Sequence, residues 1–413
     1  MSKRVTAYLA FCAAAILATS PVRAEPVKAE VMHWLTSGSE AAAMKVLSDA
    51  YSKAGGQWVD NAVPDYDSAI AAGTTAILNG NPPAALMFNA GTQFQDLAQQ
   101  GYLADLSGYA SEQKWADALP SSLREAITYE GKIFGLPIDV QSESWVFTSK
   151  AAFAKAGVEM PTKWDDFFPM LDKLKAAGFV PIAHGGESWQ ELELFYTVMM
   201  FRGNRDLYEG IFIKGDEAVL TTPEFKEFSE DFKKLTNYID PGAPGRKWND
   251  AAAMVIQGKA GMQFMGDWAK SEFVAAGQKP GVDFDCFLGL GGNENYVMIS
   301  DVFVLPGGKG LEAAQKLLSS TIMSPAVQVE FNKVKGGLPA RIDAENAATD
   351  VCSAKGQAAT RAAGVLVAGP EISMSADRYG SIMDAISQYW NTPDMTADMF
   401  IETMRQAIRS TAG

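Results

Sequence analysis

The sequence predicts an α/β protein, and three observations carry that expectation. Short apolar runs alternate with amphipathic stretches along the chain. The opening reads as strand, helix, strand, helix, strand. The length of 413 residues, with 47% hydrophobic and 20% charged side chains, is too great for one small core and too apolar for disorder, so one large or two ordinary domains are expected.

Residues 29–35 form the first expected strand. Residues 39–54 follow as a helix with Met44, Leu47 and Tyr51 on one face, ended by Gly55-Gly56. Residues 57–63 are a second strand, 65–78 a second helix and 84–89 a third strand, so parallel strands joined by right-handed crossovers are expected. Farther on, Thr162 with Asp165 reads as a helix cap before Trp164, Phe167, Leu171 and Leu174, and Gly178 ends that helix. Residues 180–184 make another strand. Thr222-Pro223 opens a helix with Phe225, Phe228, Phe232 and Leu235 facing a core. Ser324-Pro325 repeats the device, since proline is tolerated where the N–H has no helical partner anyway. Ala397, Phe400, Met404 and Ile408 give a last amphipathic helix.

Residues 1–24 read as a secretory leader. Lys3 and Arg4 precede an apolar run of about 12 residues, short of the roughly 20 that cross a bilayer, and the segment ends at Val22-Arg23-Ala24. Cleavage after Ala24 and export to the periplasm are expected. Cys12 lies inside the apolar run behind Phe11, which speaks against a lipid-modified cysteine. Loss of three basic residues and no acid takes the charge from −14 to −17, which repels nucleic acid and anionic lipid. Two cysteines remain, Cys286 and Cys352, and both a disulfide and two buried free thiols fit the sequence.

Catalytic signatures are missing. Gly258-Lys259 lacks the upstream glycine of a phosphate loop, His33 and His184 stand alone, and there is no nucleophile elbow. No metal or cofactor is called for. Paired carboxylates are common in a chain with 49 acids, so a secreted carbohydrate-active enzyme stays as the competing class, with Asp267 and Asp301 as the pair to inspect.

Several segments, in order along the chain, carry a resemblance. They are Asn79-Gly80-Asn81-Pro82-Pro83, Gly131-Lys132-Ile133-Phe134-Gly135-Leu136-Pro137, and Pro161-Thr162-Lys163-Trp164-Asp165-Asp166-Phe167. Gln257-Gly258-Lys259-Ala260-Gly261-Met262, Gly266-Asp267-Trp268 and Gly337-Leu338-Pro339-Ala340-Arg341 complete the set. Together with the leader, the chain resembles the extracellular solute-binding proteins of sugar ABC transporters, most closely the glucose/mannose-binding members. It departs from them at Ala84, where Asp is common, at Thr148, where an aromatic is frequent, and at Leu35, where a second Trp often follows Trp34.

The resemblance implies a two-lobed periplasmic-binding-protein fold with a ligand cleft between the lobes and several hinge crossings, placed near 137–140, 296–301 and 338–342. The expected first lobe is 25–137 plus 301–340, and the second is 138–300 plus 341–413. Partners implied are a small-molecule sugar and the membrane permease of an ABC importer, with the protein a monomer and not an enzyme. A pyranose offers a C–H face and a rim of hydroxyls, which calls for flat aromatics and fixed acceptors. Trp34, Trp248 and Trp268 match stacking positions, Asp301 and Lys335 match polar cleft positions, and Glu40, Asn89, Asp139, Gln141 and Asp267 are further rim candidates. Glu40 also suits its helix as a first-turn acid, and Asp267 also suits a helix cap. Trp58, Trp115, Trp164 and Trp390 read as core, while Trp189 and Gln190 fit equally a packed loop tip and a ligand contact. A hexose of the glucose, galactose or mannose type is the first ligand expected, and a disaccharide or short oligosaccharide the second.

Overall fold

The structure is a computed structural model that describes residues 26–64, 66–344 and 348–411. The leader, its cleavage point and Asp65 lie outside the described residues. The strand Val27–His33 pairs in parallel with Gly56–Ala62 on one side and Ala85–Asn89 on the other, as the opening pattern predicts. The first helix, Gly38–Lys53, begins at Ser37, whose hydroxyl accepts from the Glu40 amide while the Glu40 carboxylate accepts from the Ser37 amide. This reciprocal cap fixes where the chain leaves the strand. Trp34 and Leu35, expected within the strand, lie beyond its end.

Two further strands complete a five-stranded sheet in the order Gly56–Ala62, Val27–His33, Ala85–Asn89, Asp301–Val304, Gly135–Pro137, with Asp301–Val304 antiparallel to both neighbours. A four-stranded sheet contains Phe284–Phe287, Trp145–Ser149, Ala260–Met265 and Val180–Ile182. Another contains Leu338–Pro339, Asp139–Ser142, Tyr296–Ile299 and Leu366–Ala368. The chain therefore leaves the five-stranded sheet between Pro137 and Asp139 and returns to it between Ile299 and Asp301. Crossings this short keep Asp139 and Asp301 side by side, the Asp301 amide donating to the Asp139 carboxylate at 2.8 Å.

The second lobe is packed largely by aromatic rings. Phe195 touches Phe228 and Phe232 with ring centroids 4.9 and 5.0 Å apart, and Phe400 of the last helix, Ala397–Ser410, closes on the same group. The helix Pro223–Lys234 supplies Phe225, Phe228 and Phe232 from one face, with the Thr222 hydroxyl capping its start.

Two local expectations are corrected. Thr162 caps nothing: a 3-10 turn, Trp164–Asp166, leads into the helix Phe167–Ala176, and the Thr162 carbonyl lies against Gly291. Pro325 opens its helix, as the sequence expects. Trp58 is only half-buried because it rides the edge strand, where its Nε1 donates to Asp60 at 3.1 Å. The open question about the cysteines is decided: Cys286 and Cys352 form a disulfide that ties the strand Phe284–Phe287 to the helix Val351–Arg361. Among the described residues no helix is long and apolar enough to cross a membrane.

Candidate ligand-binding site

A cavity of about 320 Å³ opens between the lobes where the crossings run. Trp34, Glu40, Asn89, Gln141, Trp248, Trp268, Asp301 and Lys335, all candidates from sequence, line it together. Each comes from the end of an element. Asn89 ends its strand and stands in register opposite Asp301, which begins the neighbouring one. Trp248 opens the helix Trp248–Ile256, Trp268 precedes the helix Ala269–Ala275, and Lys335 ends the helix Pro325–Lys335. Gly336 follows at φ 106°, and a Cβ there would lie 2.5 Å from the Asp267 carbonyl, so only glycine lets the Lys335 end come this close.

The polar wall is one connected network. The Gln141 amide donates to Asp301 at 2.9 Å and to Asp139, and its carbonyl accepts from the Lys335 ammonium at 3.3 Å. That ammonium lies 3.8 Å from both Glu40 and Asp301, and 5.2 Å from the centre of the Trp268 ring. Burial works against its charge, but Asp301, then Glu40 and Asp139, outweigh it and hold the Lys335 pKa above its ordinary value. Burial also raises the Glu40 pKa, with Lys335 opposing. Across the cavity Trp34 meets Tyr66 edge to face, ring centroids 4.8 Å apart. Flat apolar walls and fixed donors and acceptors thus converge on one space open to a small polyhydroxylated molecule.

Residues 36–320 match the family of bacterial extracellular solute-binding proteins. The chain belongs to that family. A probable sugar-binding periplasmic protein of Brucella melitensis is 40% identical over 80% of this chain and 79% of its own length. A protein of the same description from Rhizobium meliloti is 40% identical over 83% of each chain. Among solved structures, the bacterial solute receptor AcbH, described as having an exclusive preference for β-D-galactopyranose, superposes with a TM-score of 0.78 at 21% identity, over 93% of this chain and 98% of its own. The maltotriose-binding protein of Thermus thermophilus does so with a TM-score of 0.73 at 17% identity, over 94% and 100%. Both establish a shared two-lobed fold.

In this solute-binding protein two sequence candidates stand behind the cavity wall. Asp139 is fully buried and accepts from the Asp301 amide at 2.8 Å; burial, and then the Asp301 charge, push its pKa well up. Asp267 accepts from the Ser142 amide at 3.1 Å, and burial raises its pKa to about 7. It caps no helix: Trp268 occupies the N-cap position without a side-chain cap bond. Asp267 and Asp301 consequently do not flank a common space, and the arrangement a glycosidase requires is not formed by that pair.

Other lining residues escaped sequence reasoning: Tyr66, Glu143, Glu187, Lys247, Asn249, Glu371 and Tyr379, while Trp189, left open between loop tip and ligand contact, also lines the space. Glu143 had a signal, being two residues beyond Gln141 and so on the same side of an extended chain. Glu371 and Tyr379 had none, because the short helix Pro370–Ser373 and the start of Ala376–Asn391 carry no strand-end pattern.

Proposed function

We propose that this protein is an exported sugar-binding protein that captures a monosaccharide of the glucose, galactose or mannose type by cleft closure and delivers it to the permease of an ABC importer. The observation that carries the reading is the single network Gln141–Asp301–Lys335–Glu40 set beside Trp34, Trp248 and Trp268 in one cavity. The indoles suit the C–H face of a pyranose, and the charged network suits its hydroxyls. A volume of about 320 Å³ lies at the small end of the ~300–1,000 Å³ range of ligand pockets, which favours one sugar ring over several.

The lobes are divided as 25–137 plus 301–340 and 138–300 plus 341–413. Trp34, Glu40, Asn89, Asp301 and Lys335 then belong to the first, and Gln141, Glu143, Trp248, Trp268 and Glu371 to the second. A ligand held by both sets binds the closed form better than the open one, and that difference drives closure. The leader, with cleavage after Ala24, and the periplasmic relatives support a periplasmic location. The protein acts as a monomer without cofactor or metal.

A thermal-shift screen of the mature chain against mono- and disaccharides, amino acids and organic acids tests the reading. Millimolar sugar with micromolar affinity stabilises by about 4 kcal/mol. The expected result is a large shift with a hexose and no loss of the sugar after a day. A shift with oligosaccharides alone overturns the size assignment, and consumption of a disaccharide restores the enzyme.

A further inference from the structure

One rim of the cavity is built from two irregular connections. The first, 183–187, joins the strand Val180–Ile182 to the helix Ser188–Arg202, and the second, 239–247, leads from the turn Leu235–Tyr238 to the helix Trp248–Ile256. Glu187, Trp189, Lys247, Trp248 and Asn249, all lining the cavity, stand at the ends of these connections or just beyond them. No helix or strand ladder sets how the two connections lie against each other, so holding their side chains in one arrangement costs conformational entropy that other contacts must offset.

Arg246 supplies those contacts from behind the rim, without itself lining the cavity. Its guanidinium forks onto the Asp240 carboxylate, Nη1 donating to Oδ1 at 2.7 Å and Nη2 to Oδ2 at 2.6 Å, and Nη1 also donates to the His184 carbonyl at 3.0 Å. Its main chain ties the same two connections again. The Arg246 amide donates to the Ala243 carbonyl at 2.9 Å, and its carbonyl accepts from the Gly186 amide at 3.0 Å and from the Gln190 side chain at 3.4 Å. At Gly186 the backbones are so close that a Cβ would stand 2.4 Å from the Gly245 nitrogen. The Arg246 and Asp240 side chains are only 14% and 21% exposed, so water competes little for this fork. Glu187 passes the arrangement to the cavity: its carboxylate accepts from the Trp189 indole at 3.2 Å and from Gln190 at 2.8 Å, and pairs with Lys247.

We infer that Arg246 is a positioning residue for ligand binding: by clasping the two connections through Asp240, His184 and Gly186 it sets the spacing of Trp189 and Trp248 across the cavity rim. This rests on the sugar-binding reading and adds a determinant of affinity that touches no ligand. The planar fork matters more than the charge, because a single ammonium cannot reach both Asp240 oxygens and the His184 carbonyl in the same geometry.

A double-mutant cycle read by titration calorimetry with glucose, galactose and mannose tests this. Arg246→Lys keeps the charge and loses the fork, and affinity for the hexose bound falls tenfold or more. In a Trp248→Ala background the same change costs threefold or less, since one of the two indoles it misplaces is already gone. Melting temperature falls by the same amount in both backgrounds, so the difference between the two affinity losses is not an effect of stability. Should Arg246→Lys not fold, Asp240→Asn, which weakens the fork and leaves Arg246 on the His184 carbonyl, is read in the same cycle with the same expectation. Affinity unchanged by the first substitution, or a loss undiminished when Trp248 is absent, overturns the inference and leaves the sugar-binding reading standing. Binding of none of the three hexoses by the unaltered protein overturns both.

Discussion

The Gln141 amide donates to the Asp301 carboxylate at 2.9 Å although 160 residues separate them. One follows the crossing out of the five-stranded sheet and the other begins the strand that returns to it, so the bond ties the two crossings together at the cavity wall. A ligand that competes for Asp301 therefore acts on the same atoms that hold the crossings side by side.

Asp301→Asn keeps the shape and removes the charge. Hydrogen bonds to charged groups contribute about 1.5–3 kcal/mol, so sugar affinity falls by that amount in calorimetry. The melting temperature of the ligand-free protein moves little, since Glu40 still faces Lys335. A change confined to melting temperature makes Asp301 structural.

The two indoles on the second lobe differ in burial, and their variants separate accordingly. Trp248 is half-buried, so Trp248→Ala weakens binding by about 2 kcal/mol with little change in melting temperature. Trp268 is packed under the Lys335 ammonium and against Gly266, where a Cβ would stand 2.1 Å from its ring. Trp268→Ala loses affinity and also about 3–5 kcal/mol of stability. Equal melting curves for the two variants contradict this.

Cys286 and Cys352 lie 66 residues apart, and the loop they close includes the strand Asp301–Val304 of the five-stranded sheet. Restricting the unfolded chain over that length stabilises the native state by about 4 kcal/mol. Reduction, or a double alanine variant, lowers the denaturation midpoint by the corresponding amount. An unchanged midpoint shows that the packing of the strand Phe284–Phe287 on the helix Val351–Arg361 suffices without the bond.

Stability depends on pH through Asp267. Its folded pKa, about 7, exceeds the ordinary 3.8, with burial the main cause. Below pH 4 the group is protonated in both states and costs nothing. Between about 4 and 7 the unfolded chain ionises while the folded one keeps its proton, so stability is lost as pH rises, on the order of 4 kcal/mol in all. Asp139, Glu143, Glu193 and Glu371, raised by burial in the same direction, add to the trend. Thermal denaturation of the unliganded protein from pH 4.5 to 8 gives a falling curve, flattened in Asp267→Asn, whose amide oxygen still accepts from Ser142. A curve that rises with pH refutes the assignment.

Much of the fold is legible because it rests on local regularities. The apolar runs near Val31 and Leu86 and the helix of Met44, Leu47 and Tyr51 between two glycines are sufficient to place the opening strands and helices. One misplaced detail is a helix end: Thr162 has the chemistry of a cap, but a cap bond depends on the local backbone path. Trp58 has the composition of core, but the edge of a sheet leaves it one neighbour too few.

By itself, the sequence determined the α/β class and the family resemblance, and it pointed to the strand and helix ends from which cavity-lining side chains come. Tertiary structure decided which of those side chains share a space. Asp139, Gln141 and Glu143 alternate along one short stretch, yet Asp139 is sealed against the Asp301 amide while Gln141 and Glu143 reach the cavity. Glu371, Tyr379 and the Cys286–Cys352 bond are decided in the same way: sequence records the neighbours along the chain, whereas a cavity between two lobes is made by neighbours across it.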